Sequence, residues 1–376
     1  MIYLDSAATS LIKPASVERA SLRALCTMAS PGRGGHAPAK LASEEVFTCR
    51  EMAAELFYLD DPARVVFTMN ATHALNIAIN SLCEKGERVV ISGFEHNSVT
   101  RPLNALNADI CVAATRLFDP SEALESFEKA LPGAKLCVCT HVSNVFGYIL
   151  PIYEIGELCR AHNVPFIVDA SQSTGILDVN AARLNADFIA MPGHKALFGP
   201  QGTGILLCVT DRAKPLVYGG SGSDSIEQHM PRYLPDMLEA GTHNVCGIAG
   251  LRAGLEYIKC AGRENIIRHE NALLKLMKTE LHGIEGLELF TGEEGTQCGV
   301  LSVRCDYINS EVFAQLLAER GVCVRAGLHC SPRAHMSAGT LESGTVRLSF
   351  SPFITENEVK KAAEIIRDTL RREKKI

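Results

Sequence analysis

The chain has 376 residues, 47% of them hydrophobic, with 37 basic and 43 acidic side chains and a formal net charge of −6. That is enough apolar content for a sizeable core and for about two domains. The only basic block is the terminal "RREKKI", which reads as a frayed, solvated helix end, and no apolar run reaches the roughly 18 residues of a membrane span, so the composition argues against nucleic-acid binding and membrane insertion. The opening "MIYLDSAATS" has no basic segment followed by an apolar one, so a cytoplasmic location is expected. The fourteen cysteines are scattered and read as reduced thiols. Cys137 and Cys139 have no second pair at zinc-ligand spacing, and no metal site is expected.

In chain order, seven runs read as strands: 64–68, 88–92, 109–114, 135–142, 165–171, 187–192 and 204–210. They are continuously apolar rather than alternating, as strands covered on both faces are. Helical patterns lie between them at 71–85, 121–131 and 152–163. The alternation predicts an α/β large domain of three layers around a mostly parallel seven-stranded sheet. After about Gly250 the texture changes to two long helices, 247–259 and 263–283, then alternating runs and a last helix from about Glu356. This predicts a smaller α+β domain over 251–376, joined by residues 1–11, with the large domain over 12–250.

Ligands of open α/β sheets collect at the carboxyl ends of the strands, and several polar residues stand there. "FTMNATHALN" ends a strand at Thr68 and starts a helix near Ala71, whose free amides suit a phosphate, although taken alone an ordinary cap at Asn70 is the better reading of the pattern. His96, Asn144 and Asp169 each follow a strand. A carboxylate at the end of so apolar a run as "FIVD" needs a partner, either a loop to cap or a cationic ring nitrogen. In "MPGHKALFG", Lys195 is the one amine in an apolar, glycine-bounded turn. Such a lysine has a lowered pKa and can form an imine with a carbonyl. A phosphate site, a carboxylate, an imine-forming lysine and a stacking histidine together are what pyridoxal 5′-phosphate requires.

With "YLDSAAT", "VDASQS", "GHK", "RAGLHC" and "VRLSFSPF", the chain resembles the class V aminotransferases of the fold-type I pyridoxal-phosphate enzymes, and within them the cysteine desulfurases or selenocysteine lyases with a short cysteine loop. The resemblance implies that Lys195 holds the cofactor and later moves protons, that Asp169 keeps the pyridine nitrogen protonated, and that Gln172 donates to the ring oxygen. It implies that His96 stacks on the ring and assists proton transfer, and that Ala71, Thr72 and His194 hold the phosphate. Asn144 and Arg347, with Ala7, would bind the substrate. Thr242 would reach the phosphate of a neighbouring subunit, giving a homodimer with shared sites.

Cys330 would attack the sulfur of L-cysteine, or the selenium of L-selenocysteine, leaving alanine and a persulfide for a protein acceptor. A glycine-bearing polar loop surrounds it, and Arg325, His329 and Arg333 are candidates to supply the positive charge that a reactive thiolate needs. An aminotransferase or β-lyase that does not use Cys330 is the alternative. Pro192 stands where the family usually has Ser or Thr, and His243 where proline is usual. Arg33 and His36, in "PGRGGHAP", read either as reaching a partner's site or as a structural turn.

Overall fold

A computed structural model describes residues 1–32 and 34–374; Arg33, Lys375 and Ile376 lie outside the described residues. The chain begins with β1 (Ile2–Tyr3), α1 (Ala15–Thr27) and α2 (Ala37–Leu56). The large sheet and its helices follow as β2 (Val65–Thr68), α3 (Ala71–Leu82), β3 (Arg88–Ser92), α4 (Asn97–Ala105), β4 (Asp109–Ala113), α5 (Pro120–Ala130), β5 (Leu136–Thr140), α6 (Ile152–Ala161), β6 (Phe166–Asp169), β7 (Phe188–Pro192) and β8 (Gly204–Cys208). Then come α7 (Val245–Ala261), α8 (Arg263–Leu281), β9 (Leu287–Phe290), β10 (Val300–Cys305), α9 (Ser310–Glu319), β11 (Val322–Cys323), β12 (Arg325–Gly327), α10 (Pro332–Ser337), β13 (Thr345–Ser349) and α11 (Glu356–Glu373).

All seven sequence-derived strands enter one sheet in the order β2-β8-β7-β6-β5-β3-β4. Only β8 runs against its neighbours. Strands β3, β5, β6, β7 and β8 are buried almost throughout, which is why their sequences are continuous apolar runs. A second sheet, β12-β13-β10-β9, is antiparallel, and β1 pairs with β11. Among the described residues, no helix is long and apolar enough to cross a membrane.

The sequence pattern did not single out α1, α2 or α4. Within α1 only Val17 and Ala24 are buried, so no broad apolar stripe marks it. His36 caps α2 by accepting from the Ala39 amide, which makes "GHAP" a helix start. The change of core falls later than 250/251. Helix α7 crosses that point without a break, and its Leu251, Leu255 and Ile258 pack in the core of the large sheet. Along α8, Ile266 belongs to that same core, while Leu273, Leu274, Met277 and Leu281 belong to a second one with Ile2, Leu4, Leu348 and Ile366.

Helix α7 also buttresses the lysine loop. A Cβ on Gly254 would stand 2.1 Å from the Leu197 carbonyl oxygen, and one on Gly250 2.7 Å from the Pro200 ring. The helix can approach this closely only where it has no side chain. Gly254→Ala forces the loop and helix apart, at an expected cost of about 1–3 kcal/mol in a urea titration, together with weaker cofactor retention.

Candidate active site

The carboxyl ends of β2, β3, β5, β6 and β7 face a cleft of about 210 Å³. Ala7, Ala71, Thr72, His96, Asn144, Asp169, Gln172, His194, Lys195 and Arg347 all line it, as do Arg325 and His329. The lining residues between Asn70 and Lys195 share this space because parallel strands present their carboxyl ends at one edge, and Ala7, Arg325, His329 and Arg347 reach it from outside that sheet.

Lys195 sits in a loop drawn tight by two backbone bonds, Gly199 N–H to the Gly193 carbonyl at 2.7 Å and Phe198 N–H to the Lys195 carbonyl at 2.9 Å. A Cβ at Gly193 would be 2.1 Å from Thr203 Oγ1, so the turn needs glycine there. The amine opens onto the cleft, yet the protein packed around it removes enough water to lower its pKa to about 8, against the attraction of Asp169. At neutrality roughly a tenth of the lysine is therefore free amine, far more than for an ordinary lysine.

Asp169 is 3% exposed at the end of β6. Its Oδ1 accepts the Ser171 amide at 3.0 Å, and among the described residues no basic side chain forms an ion pair with it. His96 caps α4, with its Nδ1 accepting the Ser98 amide at 3.0 Å, so the neutral ring carries its proton on Nε2. Burial, and then Lys195, push the His96 pKa down to about 4. The Ser98 hydroxyl continues from His96 Nδ1 at 2.9 Å to Thr72 Oγ1 at 2.7 Å, fixing the threonine at the first turn of α3. Asn70 caps α3 through the His73 amide, leaving the Ala71 and Thr72 amides at the cleft. His194 is neutral as well: burial and Lys195 lower its pKa to about 4, and its Nδ1 lies 3.1 Å from Thr9 Oγ1.

The end of the cleft around Arg347 and Asn144 is more constrained than the sequence indicated. Arg347 on β13 is 1% exposed. It donates to Asp5 Oδ1 at 2.7 Å and to the Asn144 carbonyl at 2.9 Å, while its Nε has no partner. The Asn144 side chain is engaged at both ends, donating to the His329 carbonyl at 2.8 Å and accepting from the Ser331 hydroxyl at 2.6 Å. It ties the cysteine loop to the large sheet. Gln172 likewise uses its amide on the Ala7 carbonyl at 2.9 Å and so holds the N-terminal segment beside Lys195. Ala7 in turn donates from its backbone to Ser349 Oγ.

Cys330 is exposed, and it and His329 both adopt left-handed backbone, with φ of +58° and +49°. Residues other than glycine rarely hold this conformation, and it persists where surrounding bonds fix it. The Asn97 amide donates to the Cys330 carbonyl at 2.8 Å, and Asn144 holds His329. His329 cannot supply charge to the thiol. It is 4% exposed, and burial followed by the nearby Arg347 pushes its pKa to about 2. Of the two candidate arginines, Arg325 is exposed and lines the cleft, while Arg333 stands on α10 outside that lining.

Thr242 is exposed outside this cleft, in a separate recess with Glu239 and His243. His243 hydrogen-bonds the buried Glu239, which is ion-paired to Arg50, so the histidine completes a polar cluster that a proline could not. Pro192 closes β7 at the cleft wall and offers no hydroxyl.

Reasoning from the sequence missed Asp5, Ser98 and Glu95. Glu95 is fully buried, accepts from Ser92 Oγ at 2.5 Å and from the Thr140 amide at 2.8 Å, and leaves Oε2 without a partner. Burial raises its pKa to about 8. An acid just past an apolar strand was the available signal.

The family model described as Aminotransferase class-V matches residues 2–362. With that match the chain belongs to the class V aminotransferase family. A probable cysteine desulfurase of Methanothermobacter thermautotrophicus is 31% identical over 98% of this chain and 94% of its own length. One of Pyrococcus abyssi is 31% identical over 96% of this chain and 92% of its own. The apo structure of a cysteine desulfurase from Thermococcus onnurineus superposes with a TM-score of 0.91 at 30% identity, covering 98% of this chain and 94% of that one.

The family implies pyridoxal 5′-phosphate, and the cleft fits it. A buried carboxylate without a cation suits a protonated ring nitrogen, helix amides suit a phosphate, and a partly deprotonated lysine suits an aldehyde. Among the described residues, no cluster of potential metal ligands occurs.

Because the folded state binds a proton at Glu95 more tightly than the unfolded chain does, its contribution to stability is full below about pH 4.5 and is lost as pH rises to about 8. Glu95→Gln, a neutral mimic, should flatten that loss, seen as a smaller drop in the urea midpoint between those pH values.

Proposed function

We propose that this chain is a pyridoxal-phosphate-dependent cysteine desulfurase, converting L-cysteine to L-alanine and leaving a persulfide on Cys330. One observation carries the reading: an exposed cysteine on a turn held in left-handed backbone, bonded to Asn97 and Asn144, directly after a residue that lines the Lys195 cleft. The names of the relatives agree with it.

The cofactor, when bound, supplies an aldehyde for the substrate amine and an electron-withdrawing ring. Lys195 holds the aldehyde at rest and, as a free amine, takes a proton from the substrate Cα. Asp169 keeps a proton on the ring nitrogen. Neutral His96 presents a ring face and an Nε2–H. The amides of Ala71 and Thr72 hold the phosphate. Arg347 receives the substrate carboxylate, for which its unpartnered Nε and planar fork are suited. The Cys330 thiolate then attacks the substrate sulfur. The new S–S bond forms as the C–S bond breaks, the electron pair passes to carbon, and a proton delivered there completes the alanine methyl.

Thr242 and the exposed Leu22, Leu25 and Phe47 on α1 and α2 support a homodimer in which Thr242 serves the neighbouring site. The exposure of Cys330 supports transfer of its sulfur to a protein acceptor. The fourteen free thiols suit a reducing, cytoplasmic setting.

Alanine release from L-cysteine with dithiothreitol, with L-selenocysteine run alongside, tests the reading. Wild type should release alanine and sulfide, and Cys330→Ser should lose at least about a hundredfold. An equally active Cys330→Ser would make the chain a lyase or aminotransferase that does not use this thiol, and activity on selenocysteine alone would make it a selenocysteine lyase. Lys195→Ala should abolish the visible absorbance that the cofactor shows when joined to lysine.

A further inference from the structure

Behind Lys195 lies a second, smaller chamber of about 40 Å³ that shares Ala7, Val142, Gln172 and Lys195 with the main cleft. A cavity needs roughly 10–15 Å³ of this measure for one water, so the chamber has room for about three. Most of its wall is apolar, but Ser6, Ser10, Ser349 and Ser351, beside Gln172, Lys195 and Glu270, offer water its polar partners. At the wall contributed by α8 stands Glu270, 4% exposed. Among the described residues no hydrogen bond and no opposite charge offsets that burial. It lies on the buried stripe of α8, four residues after Ile266 and three before Leu273, and its Oε2 is 2.9 Å from where a Cβ on Gly299 would be. A carboxyl buried without a protein partner is costly, and this one faces a chamber that opens to the site lysine.

We infer that Glu270 is a proton-relay residue for Lys195, exchanging a proton with the lysine amine through water in this chamber. In the forward direction the O–H bond of the Glu270 acid breaks and an N–H bond forms on Lys195, giving carboxylate and ammonium. The reverse step restores acid and amine. No electrons are exchanged and no further reactant is needed. The inference rests on Lys195 being the proton-moving base of the proposed reaction.

The two groups are matched for such an exchange. Burial raises Glu270 to about 8 and lowers Lys195 to about 8, so neither end traps the proton. Cys298, a buried thiol pushed up by burial and by Glu270 itself, is the other titratable group facing the acid. Asp169, Arg347, Arg325 and Asp5 are the charges that act on the lysine.

Two measurements on the cofactor-loaded enzyme test the relay. The first is infrared spectroscopy in the Glu95→Gln background, which removes the other buried acid that burial raises to about 8. A protonated-carboxyl band should be present at neutral pH, titrate away with a midpoint near 8, and vanish in E270Q. The second is exchange of the α-proton of L-alanine into heavy water, followed by NMR. E270Q should slow it at least about tenfold, with E270D, which keeps a transferable proton, recovering part of the rate. Absence of the band, or E270Q exchange within about twofold of wild type, overturns the relay. If wild type exchanges no α-proton at all, Lys195 is not the base, and the relay falls together with that assignment. Should E270Q misfold, E270D carries the test: its carboxyl band should shift in frequency and its α-proton exchange should fall below wild type, and an unchanged exchange rate overturns the relay.

Discussion

One buried guanidinium ties the two cores of this chain to each other. Arg347 belongs to the second sheet, but its partners come from elsewhere, Asp5 from the N-terminal segment and the Asn144 carbonyl from the loop after β5. A cation at 1% exposure costs several kcal/mol unless it is paired. Its strand partner Arg325 adds like charge beside it. The fold can place Arg347 there only by bringing a carboxylate and a carbonyl to meet it. Once it does, the first ten residues, the large sheet and the small sheet meet at one point, and the cleft forms between them.

The second organising effect is removal of water. His96, His194 and His329 would each be partly charged in solution, and burial leaves all three neutral at pH 7. The fixed charges facing the cleft are then few: Asp169 on one side, Arg325 and Arg347 on the other, with Lys195 between its two states. A dianionic phosphate and a carboxylate could enter such a cleft without displacing a local counter-charge other than Asp5. The histidines contribute shape and directed N–H groups instead of charge.

Much of this was legible in the residues. Strands covered on both faces write themselves as unbroken apolar runs, and all seven were found where they stand in the sheet. Asp169 and Lys195 were visible because each is a charge in a setting that otherwise excludes charge. What was not legible depended on partners distant in sequence. Nothing local says that Asn144 will bond to residues 329 and 331, or that α7 will belong to the first core beyond residue 250. His329 was expected to carry charge because its neighbours in sequence are polar, whereas its neighbours in space are Arg347 and His335. Glu270 hid in a helix rich in charged residues. Counting from Ile266 to Leu273 would have placed it on the apolar stripe, where an acid is out of keeping.

The paired left-handed residues at 329 and 330 have one more consequence, for transport instead of chemistry. A thiol on a long pliable loop can swing outward and carry cargo away from the place where it was loaded. Here the backbone is tied by bonds to Asn97 and Asn144, which leaves rotation about the cysteine's own side-chain bond as the freest motion of the sulfur. On the proposed reaction, loading and unloading would then take place at nearly the same spot. On that reading the chain is a fixed quay, and a collecting partner would have to come alongside.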